Sequence, residues 1–242
     1  MKNLKFLTAI LAATFLFSSC LLFDDDPFRC ERGQGPTVTR VLDLPSFSGI
    51  DLQISGDVVL RQGNEQYVEV EGQDNIIDLL RLSVSNNTWK IKFTDCVRNY
   101  DNLMIYITLP DIDEIKISGS GDVYGDNLFE GNNLDLNISG SGDMDLGLDY
   151  KNVDTRITGS GDIRLEGDCR NFDLDITGSG DYHAFDMKSE NGKIRISGSG
   201  KAEVWVTDDL EVRIPGSGDV YYIGYPDLDI DITGSGKVID VN

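Results

Sequence analysis

Seven copies of one short phrase recur through the second half of the chain: an aliphatic residue, then Ser, Thr or Pro, then Gly-Ser-Gly, then Asp or Lys. The copies begin at Ile117, Ile138, Ile157, Ile176, Ile196, Ile214 and Ile232. Their first glycines (Gly119, Gly140, Gly159, Gly178, Gly198, Gly216, Gly234) lie 21, 19, 19, 20, 18 and 18 residues apart. A period near twenty restricts the chain to a solenoid or a roll, because one such unit cannot bury a core alone and must stack on its neighbours.

Before each phrase the apolar side chains alternate, as in Leu134, Leu136, Ile138; Val153, Thr155, Ile157; Phe172, Leu174, Ile176; Leu210, Val212, Ile214; and Leu228, Ile230, Ile232. Period two means a strand with one face turned inward. Alternation resumes after the phrase in Met144 and Leu146, Ile163 and Leu165, and Ala202, Val204 and Val206. Each repeat therefore reads as strand, tight corner, strand, return. Glycine suits the corner because it adopts positive φ freely and lets neighbouring corners approach closely. The returns (147–152, 166–171, 186–193, 207–209 and 224–227) are rich in turn formers and read as loops, with no crossover helix.

The fold class that follows is all-β: a right-handed parallel β-helix-like solenoid with 18–21 residues per rung, each rung about 4.8 Å above the last. A β-prism or sandwich of hairpins is the alternative that alternation leaves open. In-register stacking makes a further demand. The residues before each motif aliphatic, Lys116, Asn137, Arg156, Asp175, Arg195, Arg213 and Asp231, should form one outward ladder with opposite charges adjacent at three of its six steps.

The front end reads as an address. Lys2 and Lys5 precede an apolar run at 6–17 that is too short to span a bilayer, and Phe17-Ser18-Ser19-Cys20 resembles the lipobox of bacterial lipoproteins. Residues 1–19 are thus expected to be a signal peptide, Cys20 a lipidation site and 20–36 a tether. Asp24-Asp25-Asp26 resembles the surface-export signal of some Gram-negative lipoproteins. The expected location is the outer membrane, lipid-anchored and at the cell surface, with a periplasm-facing orientation as the alternative.

Removing Lys2 and Lys5 from the 21 basic residues leaves 19 against 42 acidic ones, a formal charge of −23 for the mature chain. Such a charge excludes nucleic acid as a partner on electrostatic grounds. Cys30, Cys96 and Cys169 remain after Cys20. An oxidising compartment permits one bridge, and Cys30 with Cys96 is the expected pair, since Cys169 sits in a return of the repeat.

Residues 37–116 are less repetitive and form the N-terminal β part, ahead of the repeat at 117–242. Ser55-Gly56-Asp57 is a truncated corner. Strands are expected at 67–71, 82–85, 89–93 and 103–109, and 74–80 reads as a turn or two of helix capped by Asp74. Phe47-x-x-Ile50, Gly56-Asp57-Val58, a strand ending Gln62-Gly63, Val68-x-Val70-x-Gly72, Trp89-Lys90-Ile91-Lys92 and the serial corners together resemble the putative auto-transporter adhesin "head GIN" domain family, over about residues 37–240. The resemblance implies a β-helix-like fold on a secreted, often lipid-anchored protein, and carries no catalytic residues with it.

His183 is the single histidine, which leaves little support for His-based triads or His-rich metal sites. The corner residues Asp122, Asp143, Asp162, Asp181, Lys201, Asp219 and Lys237 form a column that would suit calcium, or in which each Asp accepts backbone N–H bonds from its own corner. Tyr124, Tyr182, Trp205, Tyr221, Tyr222 and Tyr225 are candidates for stacking on sugars. The expected function is a non-catalytic cell-envelope lipoprotein, an adhesin or scaffold module without cofactor or dedicated metal. The alternative is a carbohydrate-active β-helix enzyme of lyase or hydrolase type. Expected partners are the membrane, through the lipid, then a glycan or another envelope protein, and a second copy through the open end of the stack.

Overall fold

The computed structural model describes residues 30–242; the expected signal peptide, Cys20 and the acidic cluster at 24–26 lie outside the described residues. Strands dominate: β1 (Thr37–Val41), β2 (Gly49–Leu52), β3 (Asp57–Gln62), β4 (Tyr67–Gln73), β5 (Val84–Ser85), β6 (Thr88–Ile91), β7 (Met104–Leu109), β8 (Glu114–Ile117), β9 (Val123–Ile138), β10 (Met144–Ile157), β11 (Ile163–Ile176), β12 (Tyr182–Ile196), β13 (Ala202–Ile214), β14 (Val220–Ile223), β15 (Asp227–Ile232) and β16 (Val238–Asp240). The chain is a β-solenoid of about 7 turns.

From β9 to β13 each rung is one long bent strand running from corner to corner, paired in parallel with the next. Met144 sits beside Ile163, Tyr150 beside Cys169, Ile157 beside Ile176, and so on along β10 and β11. The expected return loops at 147–152, 166–171, 186–193 and 207–209 are therefore a misreading: those residues lie within β10–β13. Parallel pairing satisfies the backbone N–H and C=O groups of the return, and that requirement overrides local turn preference. The bend is absorbed by register shifts, between Asp145 and Gly147 against β9 and between Arg164 and Glu166 against β12. Only the last return, around Gly224, is loop-like.

The outward ladder forms in the register that the repeat demands, from Lys116 beside Asn137 through Arg156, Asp175, Arg195 and Arg213 to Asp231. Inward, the alternating aliphatics fill a continuous core with Phe129, Phe172 and Tyr182 among them. Burial of that core is the main force holding each rung to the next.

The N-terminal part departs from a simple stack. β2 and β3 form a coil around Ser55-Gly56-Asp57, and β6 and β7 form another, with β2 paired to β6 on one side and β8 on the other. β3 likewise lies between β7 and β9. The earlier coil in sequence is thus sandwiched between two later ones. β4 pairs antiparallel with β7 and β1 antiparallel with β4, which closes this end. A single helical turn, Asp74–Ile77, packs Ile76 and Ile77 under that cap. Its N-cap is Gln73, with no side-chain cap, so Asp74 is the first helical residue rather than the cap. The Asp74 and Asp78 carboxylates instead clamp Arg40 of β1 at 3.0 and 2.6 Å. Cys30 and Cys96 form a disulfide across 66 residues of sequence, beside the Glu31–Val97 bridge, and tie the first described residues to this cap.

Candidate binding surface

The corners are built by close approach. A Cβ on Gly140, Gly161 or Gly180 would overlap the carbonyl oxygen of the glycine one rung below, while the described positive-φ glycines are Gly35, Gly167 and Gly224, none of them in the repeat phrase. The expected positive φ at the phrase glycines is therefore corrected: stacking distance alone requires them. Gly167, at φ 108°, does need its conformation, at the bend of β11. From the second full corner onward the serine N–H donates to the first glycine's carbonyl one rung below, as Ser160 to Gly140 and Ser179 to Gly159, each at 3.1 Å.

The corner aspartates serve the same stacking. Asp57 Oδ1 accepts the N–H of Asp122 (3.1 Å), Asp122 that of Asp143 (2.8 Å), Asp143 that of Asp162 (2.7 Å), Asp162 that of Asp181 (2.7 Å) and Asp181 that of Lys201 (2.6 Å). The donor is the next rung's corner and not the residue's own, because a 4.8 Å rise brings equivalent positions within reach of a short side chain. One oxygen of each carboxylate is thereby engaged. Among the described residues no cluster of three or more metal-ligating side chains is present.

A second ladder, of asparagines, runs up the returns. Asn152 Nδ2 donates to Asn133, Asn171 to Asn152 and Asn191 to Asn171, at 2.8, 2.9 and 3.0 Å. Its signal was available: these asparagines recur at 19, 19 and 20 residues, in step with the glycines. They line an open trough of about 510 Å³, and a neighbouring trough of about 570 Å³ carries Lys151, Arg170 and Lys188 among acids.

The aromatic residues do not form a sugar platform. Tyr182 is in the core and Tyr222 nearly so, whereas Tyr124 and Tyr225 are exposed far apart along the chain. The rings of Trp205 and Tyr221 are covered by Lys188 and Lys201, whose ammonium groups stand 5.9 and 5.8 Å from the ring centroids. His183 is a fixed member of a surface network: its Nδ1 donates to Glu203 at 2.7 Å, and Lys201 Nζ donates to the other carboxylate oxygen at 2.7 Å. Partial burial works against the Glu203 charge, but these two hydrogen bonds outweigh it and hold the carboxyl below its usual range. Glu203 is thus a spoken-for anion rather than a proton donor.

One further outward ladder is acidic. Glu114, Asp135, Asp154 and Asp173 stand in register on consecutive rungs before Lys193 interrupts them. Burial first, and then the charges of its acidic neighbours, raise the Asp135 carboxyl above its ordinary range; Asp173 is raised by burial despite Lys193.

Fold and surface together define an extended β-solenoid whose most repeated residues are used for stacking and whose flanks present charged ladders. The chain belongs to the family described as putative auto-transporter adhesin, head GIN domain, whose model matches residues 46–226. It is similar to a solved putative adhesin from Bacteroides fragilis, at 25% identity and TM-score 0.83 over 87% of this chain and 100% of that one. A putative adhesin from Parabacteroides distasonis (22% identity, TM-score 0.71, 87% and 99% covered) and a protein from the same organism named a putative lipid binding protein (23%, 0.74, 88% and 100%) share the fold. No curated protein matches.

Proposed function

We propose that the protein is a non-catalytic binding module of the cell envelope, of adhesin type, held to the outer membrane by a lipid on Cys20 and displayed at the cell surface. Membership of an adhesin-named family supports the class. The observation that carries the reading is the use of the corner residues. The Gly-Ser-Gly-Asp groups, the most repeated in the chain, are spent on bonds between rungs. What varies from rung to rung faces solvent on long, rigid strands, as a contact surface requires.

Two measurements test this. Cys20→Ala should move the protein from the detergent to the aqueous phase of a detergent split, and unchanged partitioning removes the lipid anchor from the reading. Incubation with acidic and neutral polysaccharides should leave them without new reducing or unsaturated ends; release of such ends would instead favour the carbohydrate-active enzyme.

A further inference from the structure

The two ends of the stack differ. At the N-terminal end β1 and β4 lie antiparallel over β7. At the other end β15 pairs only with β13, and no other described strand lies on its outer edge. Leu228, Ile230 and Ile232 occupy the inward positions that Leu210, Val212 and Ile214 fill one rung below. They are 44, 43 and 39% exposed, against 1, 0 and 0% for those below. Between them Asp227, Asp229 and Asp231 point outward, and the in-register neighbour of Asp229 is Glu211, a like charge.

The stack contains the same surface once more, already covered. Phe172-Asp173-Leu174-Asp175-Ile176 of β11 has the pattern of Leu228-Asp229-Ile230-Asp231-Ile232 at the same place in the rung. On it lies Gly192-Lys193-Ile194-Arg195-Ile196, with Lys193 beside Asp173, Arg195 beside Asp175, and Ile194 and Ile196 in the core. We infer that the outer edge of β15 is a docking site for a β-strand of another protein whose residues alternate between aliphatic and basic, added in parallel as one further rung. Backbone bonds and aliphatic burial would supply affinity, and the paired charges register and selectivity.

A second copy of this chain fits the edge poorly. Two-fold pairing of β15 with itself sets aspartates against aspartates in any register that keeps the aliphatic residues on one side, and like charges directly opposite are destabilising. Stacking head to tail meets β5, Val84-Ser85, which lies antiparallel on the outer edge of β6 and carries no basic residue to set against the aspartates.

The test uses the full chain in neutral detergent and a fluorescent peptide with the sequence of residues 190–197. Binding should be saturable, should protect the amides of 228–232 from hydrogen exchange, and should weaken at least about tenfold when the peptide carries Lys193→Glu and Arg195→Glu. The chain variant Asp229→Lys with Asp231→Lys should reverse that preference. Asp229→Asn with Asp231→Asn, which adds no bulk, should abolish the discrimination, with unchanged circular dichroism as the check on folding. Absent binding, equal binding of both peptides, or protection of 228–232 by concentration-dependent self-association without peptide each overturns the inference.

Discussion

Gly161 stands where the third full corner rests on the second, and a Cβ there would run into the Gly142 carbonyl oxygen. Gly161→Ala should therefore cost about 1–3 kcal/mol, as overpacking does, and lower Tm by at least about 2 °C in a thermal melt. The aspartate that closes each phrase makes a different demand, for an acceptor and not for charge. Asp143→Asn should fold and melt close to the parent, whereas Asp143→Leu leaves the Asp162 N–H without its partner and should cost about 1–3 kcal/mol. Cys169 belongs to the core, where burial pushes its thiol up to about 11. Native protein at pH 8 should resist iodoacetamide at this position and react once guanidinium unfolds it, read by mass spectrometry. The linkage has a sign: a thiol held protonated only in the fold stabilises fully below its ordinary pKa near 9, and that contribution disappears as pH rises toward about 11. The identity of these residues was legible in the repeat. Their reasons were not, because a sequence shows a glycine but not what lies one rung below it.

The long strands carry the acidic ladder, and Asp154 is its centre, between Asp135 and Asp173. Removing that charge with Asp154→Asn should stabilise the protein at neutral pH by about 0.2–1 kcal/mol. Raised carboxyls at Asp135 and Asp173 mean that the folded state prefers them protonated, so stability from this source is present at low pH and lost as pH rises through their titration. The gain from Asp154→Asn should accordingly shrink at pH 3.5 and in 1 M salt, as thermal melts across those conditions would show. Alternation left strand direction open, whereas the in-register stacking and the Arg213–Asp231 step of the outward ladder, closed at 3.5 Å, were readable from the period of the corners. The returns were not. Asp149, Asn152, Gly167 and Asn171 are turn formers by local preference, and only pairing with residues about twenty positions away draws them into strands. The antiparallel cap also escaped the sequence, since nothing in β1 or β4 alone names β7 as its partner.

Taken as a whole molecule, the stack is quasi-one-dimensional: each rung from β9 onward pairs its backbone only with the rungs above and below, so local stability should follow position. Hydrogen exchange should be slowest in β10–β12 and fastest in β15 and β16, and uniform protection through residue 240 in the isolated protein would contradict this. The sandwiching of the β2–β3 coil between β6–β7 and β8–β9 divides the chain into two kinds of architecture with different histories open to them. Beyond Ile117, neighbouring rungs in space are neighbours in sequence, and excising residues 158–176 joins Ile157 to Thr177 at equivalent points of the turn. That deletion should fold into a rod shorter by one spacing, about 4.8 Å, measurable by small-angle scattering. No such cut removes the β2–β3 coil, which is wedged between stretches distant in the chain. Recombination can thus lengthen or shorten this protein like a ruler from one side only, while the other remains a fixed hilt.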